Sequence, residues 1–277
     1  MLTPRGAAAS IGAALATLAA LGLAGCARAK AIPAVPFRPL RAATLEEVLA
    51  AHDEYCRGTQ SLSASGDLEV RDLRAGKARR VGVRLVAARG GRLYLKASVA
   101  VVTALEISAD GKRFSFQIPA RKTVWIGSAD ADPRAEDEKA PYYALRPRDV
   151  VSALVPDPLA PGEGESLVLE ADRDSFSLAL VRMARDRGTA RRRVWLDRDT
   201  LQIVRSRSYD DRGDLVMEAT LGDWQEGAPR QVMVARPREG YEASFRLEEV
   251  QRNVAVPERA FVPRTPEGYA VVEVDRP

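Results

Sequence analysis

Side chains with strong nucleophilic or acid–base chemistry are few in this sequence. Its 277 residues include one histidine, His52, and two cysteines, Cys26 and Cys56. There is no Gly-x-Ser-x-Gly turn, no phosphate-binding glycine loop and no Cys/His spacing typical of a zinc site. His52 falls on the apolar side of a predicted helix, where a packed side chain is a commoner role than a general base. The sequence therefore predicts no catalytic residue, no metal and no cofactor, and we expect a protein that is not an enzyme.

Cys26 carries the clearest signal for a covalent modification. One positive charge, on Arg5, precedes an apolar run over residues 7–24, which is the layout of a secretory signal peptide. The run ends in Leu23-Ala24-Gly25-Cys26, the pattern of a bacterial lipobox, in which the cysteine thiol receives diacylglycerol. The alternative is an ordinary signal peptide followed by an accidental cysteine. We expect residues 1–25 to be removed as a lipoprotein signal peptide and Cys26 to carry fatty acyl groups such as palmitate.

An acylated Cys26 would hold the chain on a membrane facing the periplasm, because each buried methylene contributes about 0.8 kcal/mol. Ala27 follows the cysteine where an aspartate would, by analogy with other lipoproteins, retain the protein in the inner membrane. We therefore expect a lipid anchor in the outer membrane. Loss of Arg5 from 42 basic and 38 acidic residues leaves a nearly balanced charge, which argues against nucleic acid as a partner.

The organisation after Cys26 predicts a tether and one domain. Residues 26–43 contain Pro33, Pro36 and Pro39, which favour an extended linker. Residues 44–277 then form a single predicted domain. Thr44-Leu45-Glu46-Glu47 fits a capping box, so a helix is predicted from Thr44 to about Arg57. A second short helix is predicted after Pro147, through Leu154.

Between and after these helices, apolar and polar residues alternate with the period of a β-strand. Leu62, Ala64, Gly66, Leu68 and Val70 begin the series, and similar runs recur to Leu247. Turn signals such as Asp110-Gly111 separate the runs. About a dozen strands are predicted, and a sheet of this length is expected to curl because twist accumulates. The expected fold class is mainly β with a few α-helices.

Several short motifs in the second half of the chain resemble one known family. They are Val194-Trp195-Leu196-Asp197-Arg198-Asp199-Thr200, then Arg205, Tyr209-Asp210-Asp211-Arg212-Gly213 and Trp224, and at the end of the chain Pro257, Phe261, Pro263 and residues 266–272. With the strand order from Thr44 to Val274, they are similar to the LolA/LolB family of periplasmic lipoprotein carriers and outer-membrane lipoprotein receptors. The resemblance implies a curved antiparallel sheet forming an incomplete β-barrel with a helical lid, around an apolar cavity for acyl chains.

A curved sheet of a dozen strands can surround more space than its inward side chains fill, which is an independent reason to expect a cavity. A tightly packed core without ligand is the alternative, because any half-buried sheet needs an apolar face. By strand parity, the residues predicted to line the cavity are Leu68, Val83, Leu93, Leu95, Leu105, Ile107, Phe114, Phe116, Phe176 and Leu178.

Residues 97–103, Ala-Ser-Val-Ala-Val-Val-Thr, are open to two interpretations. In the receptor branch of the family the corresponding loop projects an apolar residue onto the membrane, which would be Val99 here, with Val101 and Val102 adding to the contact. However, the proline and glycine of that loop are absent. A continuous strand with Val99 and Val101 in the core is therefore the alternative.

From the anchor and the resemblance we expect an outer-membrane lipoprotein, monomeric, that binds the acyl chains of a client lipoprotein or lipid and assists its insertion in the outer membrane. A periplasmic carrier protein is a further expected partner. The alternative is a non-catalytic scaffold lipoprotein of an envelope complex. For the basic run Arg191-Arg192-Arg193, a solvated strand face is one interpretation and contact with anionic headgroups the other.

Overall fold

The computed structural model describes residues 40–129, 145–184 and 187–275. Cys26, the expected signal peptide, most of the expected tether and the acidic stretch at residues 130–139 lie outside these ranges. Within them are helices α1 and α2, two short 3-10 helices and fourteen strands. The helices are α1 Leu45–Gly58 and α2 Pro147–Leu154, with 3-10 turns at Pro119–Arg121 and Glu258–Ala260. The strands are β1 Ser61–Asp72, β2 Lys77–Ala88, β3 Arg92–Val99, β4 Val102–Asp110, β5 Arg113–Ile118, β6 Thr123–Ser128, β7 Glu165–Ala171, β8 Ser175–Ala184, β9 Arg187–Asp197, β10 Ile203–Tyr209, β11 Leu215–Gln225, β12 Ala228–Arg236, β13 Tyr241–Arg252 and β14 Ala270–Glu273.

Helix α1 begins where the capping box predicts. The backbone N–H of Glu47 donates to the Thr44 hydroxyl, and the Glu47 carboxylate accepts from the backbone N–H of Thr44 at 2.8 Å. These two bonds satisfy amide donors that have no partner inside the first turn. None of the helices in the described ranges has both the length and the apolar composition needed to cross a bilayer.

All fourteen strands form one sheet. Their order is β14-β6-β5-β4-β3-β2-β1-β13-β12-β11-β10-β9-β8-β7, and every neighbouring pair is antiparallel except β14 with β6. The two halves, β1–β6 and β7–β13, are joined by the long pairing of β1 with β13, from Leu62 opposite Arg252 to Asp72 opposite Tyr241. The expected class, a curved sheet in an incomplete barrel with helices on one side, is confirmed.

Strands β6 and β14 were not predicted by alternation. In β6 the adjacent residues Val124 and Trp125 are both buried, so neither face of the strand is solvent-exposed and burial does not alternate along it. Trp125 packs edge-on against Phe116 of β5, with ring centroids 5.9 Å apart. Strand β14 has four residues, too few to establish a period.

Gly66 allows β1 to bend against β13. The pairing register shifts between Ser65 and Gly66, and Gly66 has φ of 154°. A Cβ atom at Gly66 would lie 2.0 Å from the backbone oxygen of Arg246 in β13. Such a bulge increases local twist and curvature, so this close approach helps to wrap the two halves around a common interior.

The sheet has two ends, which we call the α1 end and the hairpin end. The α1 end carries the β2–β3, β4–β5, β9–β10 and β11–β12 turns, and α1 lies near it, where the Asn253 side chain donates to the carbonyl oxygen of Gly58 at 2.8 Å. The hairpin end carries the β1–β2, β3–β4, β5–β6 and β12–β13 turns.

Replacing Gly66 with Ala should destabilise the domain by about 3 kcal/mol, because the added methyl group must displace the β13 backbone. Urea unfolding followed by circular dichroism measures the change. Gly222→Ala in β11 is the matched control, since a Cβ there meets nothing within 4 Å. Equal unfolding midpoints for the two variants would contradict the importance of this close approach.

Candidate functional site

The concave face of the sheet brings together all ten residues predicted to line a cavity. They come from β1 to β5 and from β8, and each is at most 8% exposed. They belong to one apolar cluster that continues across β9 to β13. The parity assignment therefore puts these side chains on a single face of the sheet, the face that the helices cover.

Helix α2 occupies the hollow of that face. Its apolar residues Val150, Val151 and Leu154 are fully or almost fully buried in the same cluster as the sheet residues. The helix contacts β2, β3 and β4 on one side and β11 and β12 on the other. In this conformation side chains of α2 fill the space in which an acyl chain was expected.

Helix α1 closes one end of the hollow. The Tyr55 hydroxyl donates to the carbonyl oxygen of Leu154 at 3.2 Å, which connects α1 to the last turn of α2. The Tyr55 ring also packs edge-on against Trp224, with ring centroids 5.1 Å apart. Burial raises the pKa of the Tyr55 hydroxyl to about 12, so this group stays a neutral donor.

The first turn of α2 is held by a buried charge cluster that sequence analysis did not identify. Asp149 lies 3.3 Å from Nε of Arg236, which is 3% exposed, and Arg236 also lies 3.1 Å from Glu239. Arg146 reaches the same Glu239 at 3.3 Å. Burial raises the pKa of Asp149, and the nearby Arg236 opposes that rise. A signal existed in the sequence, because Arg236 continues the inward parity of Val232 and Val234.

The geometry of this cluster is imperfect. Nε and Nη1 of Arg236 and Oδ2 of Asp149 are buried without a partner in hydrogen-bond geometry, although the ionic groups are close. Removing charges from water is costly, and the cost is recovered only when hydrogen bonds satisfy the remaining donors and acceptors. The cluster therefore orients α2 in the hollow but adds little net stability to that position.

A second polar group lies under α1. His52 is completely buried, its Nδ1 is 3.2 Å from Asp53, and its Nε2 is 3.6 Å from the Cys56 sulfur. Burial lowers the pKa of His52 to about 4 and raises that of Cys56 to about 12. At neutral pH both groups are uncharged, and these pKa values make the imidazole a weak base and leave the thiol with almost no thiolate, the form that is nucleophilic. His52 and Arg192 both line a small cavity of about 10 Å³.

No group of three or more His, Cys, Asp or Glu side chains in the described ranges is arranged to hold a metal ion.

The basic run Arg191-Arg192-Arg193 divides between the two faces of β9. Arg191 and Arg193 pair with Asp211 and Glu170 respectively, while Arg192 points toward α1 and donates to the carbonyl oxygen of Asp157.

Residues 97–103 form a tight hairpin that projects apolar side chains, as in the loop interpretation, although the turn is shorter than that loop. Strands β3 and β4 pair up to Val99 opposite Val102, so only Ala100 and Val101 form the turn. Val99, Val101 and Val102 are 58%, 97% and 66% exposed, so the expectation of a strand with Val99 and Val101 in the core is wrong. Ala100 has φ of 51°, a conformation that is strained for a residue with a Cβ. We call residues 99–102 the valine tip.

The expected resemblance can now be compared with solved structures. No protein-family model matches the chain, and no curated protein matches it. A DUF1329 family protein from Desulfovibrio piger is 17% identical, with a TM-score of 0.50, over 77% of this chain and 94% of that one. The fold is shared. This comparison and the sheet described above confirm the expected fold, and at this identity the likeness concerns the fold alone.

Two further structures are similar over most of their length. One is a LolA superfamily protein from Nitrosomonas europaea, 12% identical with a TM-score of 0.49, covering 80% of this chain and 98% of that one. The other, from Vibrio parahaemolyticus, is described as an outer membrane lipoprotein-sorting protein domain. It is 15% identical with a TM-score of 0.44, covering 78% of this chain and 96% of that one.

Because His52 is buried in its neutral form, acid should destabilise the domain. Its folded pKa of about 4 lies below the ordinary 6.5, so the stability is complete above pH 6.5 and is lost as pH falls toward 4. The loss should approach 1.4 kcal/mol per pH unit and total about 3 kcal/mol. Urea unfolding at a series of pH values measures it. In His52→Gln the contribution of His52 to the slope between pH 6.5 and 5 should be lost, and a slope equal to that of the native protein would contradict the assignment.

Proposed function

We propose that this protein is a lipoprotein of the outer membrane that binds the acyl chains of a client lipoprotein or lipid and assists their transfer into the bilayer. The observation that carries the proposal is the apolar concave face, on which a helix of eight residues, α2, covers the side chains of both halves of the sheet. No bond is made or broken in this process. Affinity comes from burial of methylene groups, and release comes from the greater burial that a bilayer offers.

In this proposal an acyl chain takes the place of α2 rather than an empty cavity. Each methylene that enters the hollow contributes about 0.8 kcal/mol, so a chain of several methylenes can replace the apolar contacts of Val150, Val151 and Leu154. Departure of the helix would separate Asp149 from Arg236, and Arg236 would keep Glu239, 3.1 Å away, as a charged partner. Helix α2 therefore acts as a plug that exchanges with the ligand.

The anchor in this proposal is acylated Cys26, after removal of residues 1–25, with residues 26–43 as tether and residues 44–277 as carrier domain. The lipobox Leu23-Ala24-Gly25-Cys26 supports the anchor, and Ala27 supports outer-membrane retention. A periplasmic carrier that delivers the client is a further proposed partner.

The valine tip supplies a membrane contact in the same proposal. Val99, Val101 and Val102 expose apolar surface at a two-residue turn whose Ala100 is in a left-handed conformation. Exposed apolar side chains and local strain both cost stability in water, so their occurrence together at one tip favours a function for that tip. Burial of the three valines in the acyl region of a bilayer would recover the cost.

The filled hollow is the observation that favours the alternative function, a scaffold lipoprotein that uses its surface and binds no lipid. A scaffold would keep α2 in place under all conditions. The two functions therefore differ in whether α2 exchanges with an apolar ligand.

Delipidated protein should take up a fluorescent fatty acid in a saturable manner, and uptake should speed up hydrogen exchange at residues 147–154 as α2 leaves the hollow. Phe116→Asp should abolish uptake, because a carboxylate in the hollow cannot be solvated. Val168→Asp, at a 43% exposed position on the outer face of β7, is the control with the same charge and should bind normally.

The buried Asp in Phe116→Asp could unfold the domain, so a second variant is needed. Asp149→Ala with Arg236→Ala removes the cluster that orients α2, and it should raise the uptake rate while circular dichroism remains native. Absence of saturable uptake by the native protein would reject the carrier function in favour of the scaffold.

The membrane contact is tested with the lipid-anchored protein in vesicles. Mass spectrometry first checks for loss of residues 1–25 and acyl mass on Cys26. Val101→Cys is then labelled with an environment-sensitive fluorophore; Cys56 does not compete, because it is fully buried and its pKa is about 12. The emission of the label should shift to shorter wavelength, and nitroxide lipids should quench it.

Val262→Cys is the matched control, since Val262 is 49% exposed next to Phe261, which Arg92 of the α1 end covers. A label there should keep the emission of a probe in water. Addition of Val99→Glu to the Val101→Cys variant should shift the emission of the label back to that of a probe in water. Equal emission from labels at positions 101 and 262 would remove the valine tip from the proposed function.

A further inference from the structure

The valine tip lies between two other hairpin tips of the same end of the sheet. Strand order β6-β5-β4-β3-β2-β1 puts the β5–β6 tip on one side of it and the β1–β2 tip on the other. With strands about 4.8 Å apart, neighbouring tips are centred about 10 Å from each other. The chemistry of the two outer tips therefore determines the surroundings of the exposed valines.

Both outer tips are strongly basic. Residues 71–79 and 118–123 together contain six basic residues and one acidic residue, Asp72. The Asp72 carboxylate accepts the backbone N–H groups of Arg74 and Ala75, at 2.9 Å each, so it is engaged in shaping the turn. The basic residues are Arg71, Arg74, Lys77, Arg79, Arg121 and Lys122, and all six are exposed.

The apolar surface continues onto the first of these tips. Leu73, in the β1–β2 turn, is 48% exposed, and its backbone N–H donates to Gly240 of the β12–β13 turn at 2.8 Å. Arg74 donates to the carbonyl oxygen of Arg238 in that same turn. These bonds fix the β1–β2 tip, so its leucine and its cations are presented in a defined arrangement.

The three tips are staggered along the sheet. Gly82 pairs with Ser98, so β2 continues for five residues beyond this pair while β3 continues for one, and β5 ends at Ile118 before β4 reaches its own tip. Strands of a barrel tilt against its axis, and a stagger between neighbouring hairpins is what brings their tips to a common level. The observed stagger is therefore compatible with a common level for the three tips.

The α1 end of the same strands has a different character. Arg89 there lies 3.4 Å from Asp157, and Arg92 pairs with Glu258. Arg113 lies beside Glu273 and Asp275 in a shallow groove. The hairpin end also has ion pairs, such as Arg71 with Glu69 at 2.7 Å, but the β1–β2 and β5–β6 turns themselves hold one acidic residue, Asp72.

We propose that the β1–β2, β3–β4 and β5–β6 tips form one docking surface for a bilayer that carries anionic lipid headgroups. This inference rests on the membrane contact of the proposed function and adds to it the class of lipid. The valines and Leu73 enter the acyl boundary, while lysine and arginine side chains on both sides remain at the level of the phosphates. Juxtamembrane basic residues attract an anionic surface in proportion to their number, within about a Debye length.

The test uses the anchored Val101→Cys protein, labelled as above, in vesicles of phosphatidylcholine alone or with phosphatidylglycerol. The equilibrium constant for insertion of the label should be about tenfold higher with phosphatidylglycerol, and 0.5 M salt should remove this increase. Lys77→Glu with Lys122→Glu changes one cation on each outer tip. These changes should abolish the gain and leave insertion into phosphatidylcholine unchanged.

The matched control is Lys112→Glu with Arg113→Glu, which makes the same change of charge at exposed positions at the opposite end of β5. It should insert as the parent does in both vesicle types. Equal insertion of the parent into both vesicle types, or equal loss in both double variants, would overturn the proposal. A label that inserts into neither vesicle would instead reject the membrane contact of the proposed function, so the two failures are distinguishable.

Discussion

Burial of α2 against the concave face of the sheet is the interaction on which the interior depends. Two runs of strands that are distant in sequence, β2 to β4 and β11 to β12, both contact this helix. A curved sheet with an unfilled apolar face would leave its inward side chains in water or in a void, and either is costly. The eight residues of α2 meet this need, and they are the part of the interior that a ligand of similar polarity could replace.

The polar groups of the interior lie around the two ends of that helix. At its first turn, Asp149 meets Arg236 in a pair whose atoms lack good hydrogen-bond geometry. At its last turn, the Leu154 carbonyl accepts a hydrogen bond from Tyr55 of α1. An apolar helix surface alone would tolerate sliding along an apolar trough. An ion pair at one end and a hydrogen bond at the other specify one position.

Alternation of residue type was sufficient to place the apolar side chains on one face, because a period of two has only two solutions, but only the helices in the structure show that this face is the inward one. The ten proposed lining residues were brought to that face by this rule alone. It could not reveal that α2 fills the hollow, since the amount of free space depends on sheet curvature and on a contact between residues more than fifty positions apart. The rule also missed β6, where Val124 and Trp125 are both buried.

Arg236 and the valine tip show two different limits of prediction from sequence. Arg236 lies on the inward parity of β12, yet a buried cation there becomes credible only when Asp149 is seen beside it. The sequence indicated where the valine tip lies but not that it is a two-residue turn, because Ala100 adopts a left-handed conformation that its residue type disfavours. A turn without glycine or asparagine has no residue type that marks it in the sequence, so a loop and a continuous strand both stayed open.

The sheet is not closed. Its terminal strands, β7 and β14, each have one neighbour in the described ranges, and no ladder joins them to each other. A closed barrel can widen only by breaking interstrand hydrogen bonds or shifting register, whereas a sheet with a seam can widen by a small change of twist spread over thirteen interfaces. In the proposed function, such a seam would let the width of the interior adjust to ligands of different thickness while every existing backbone ladder stays intact.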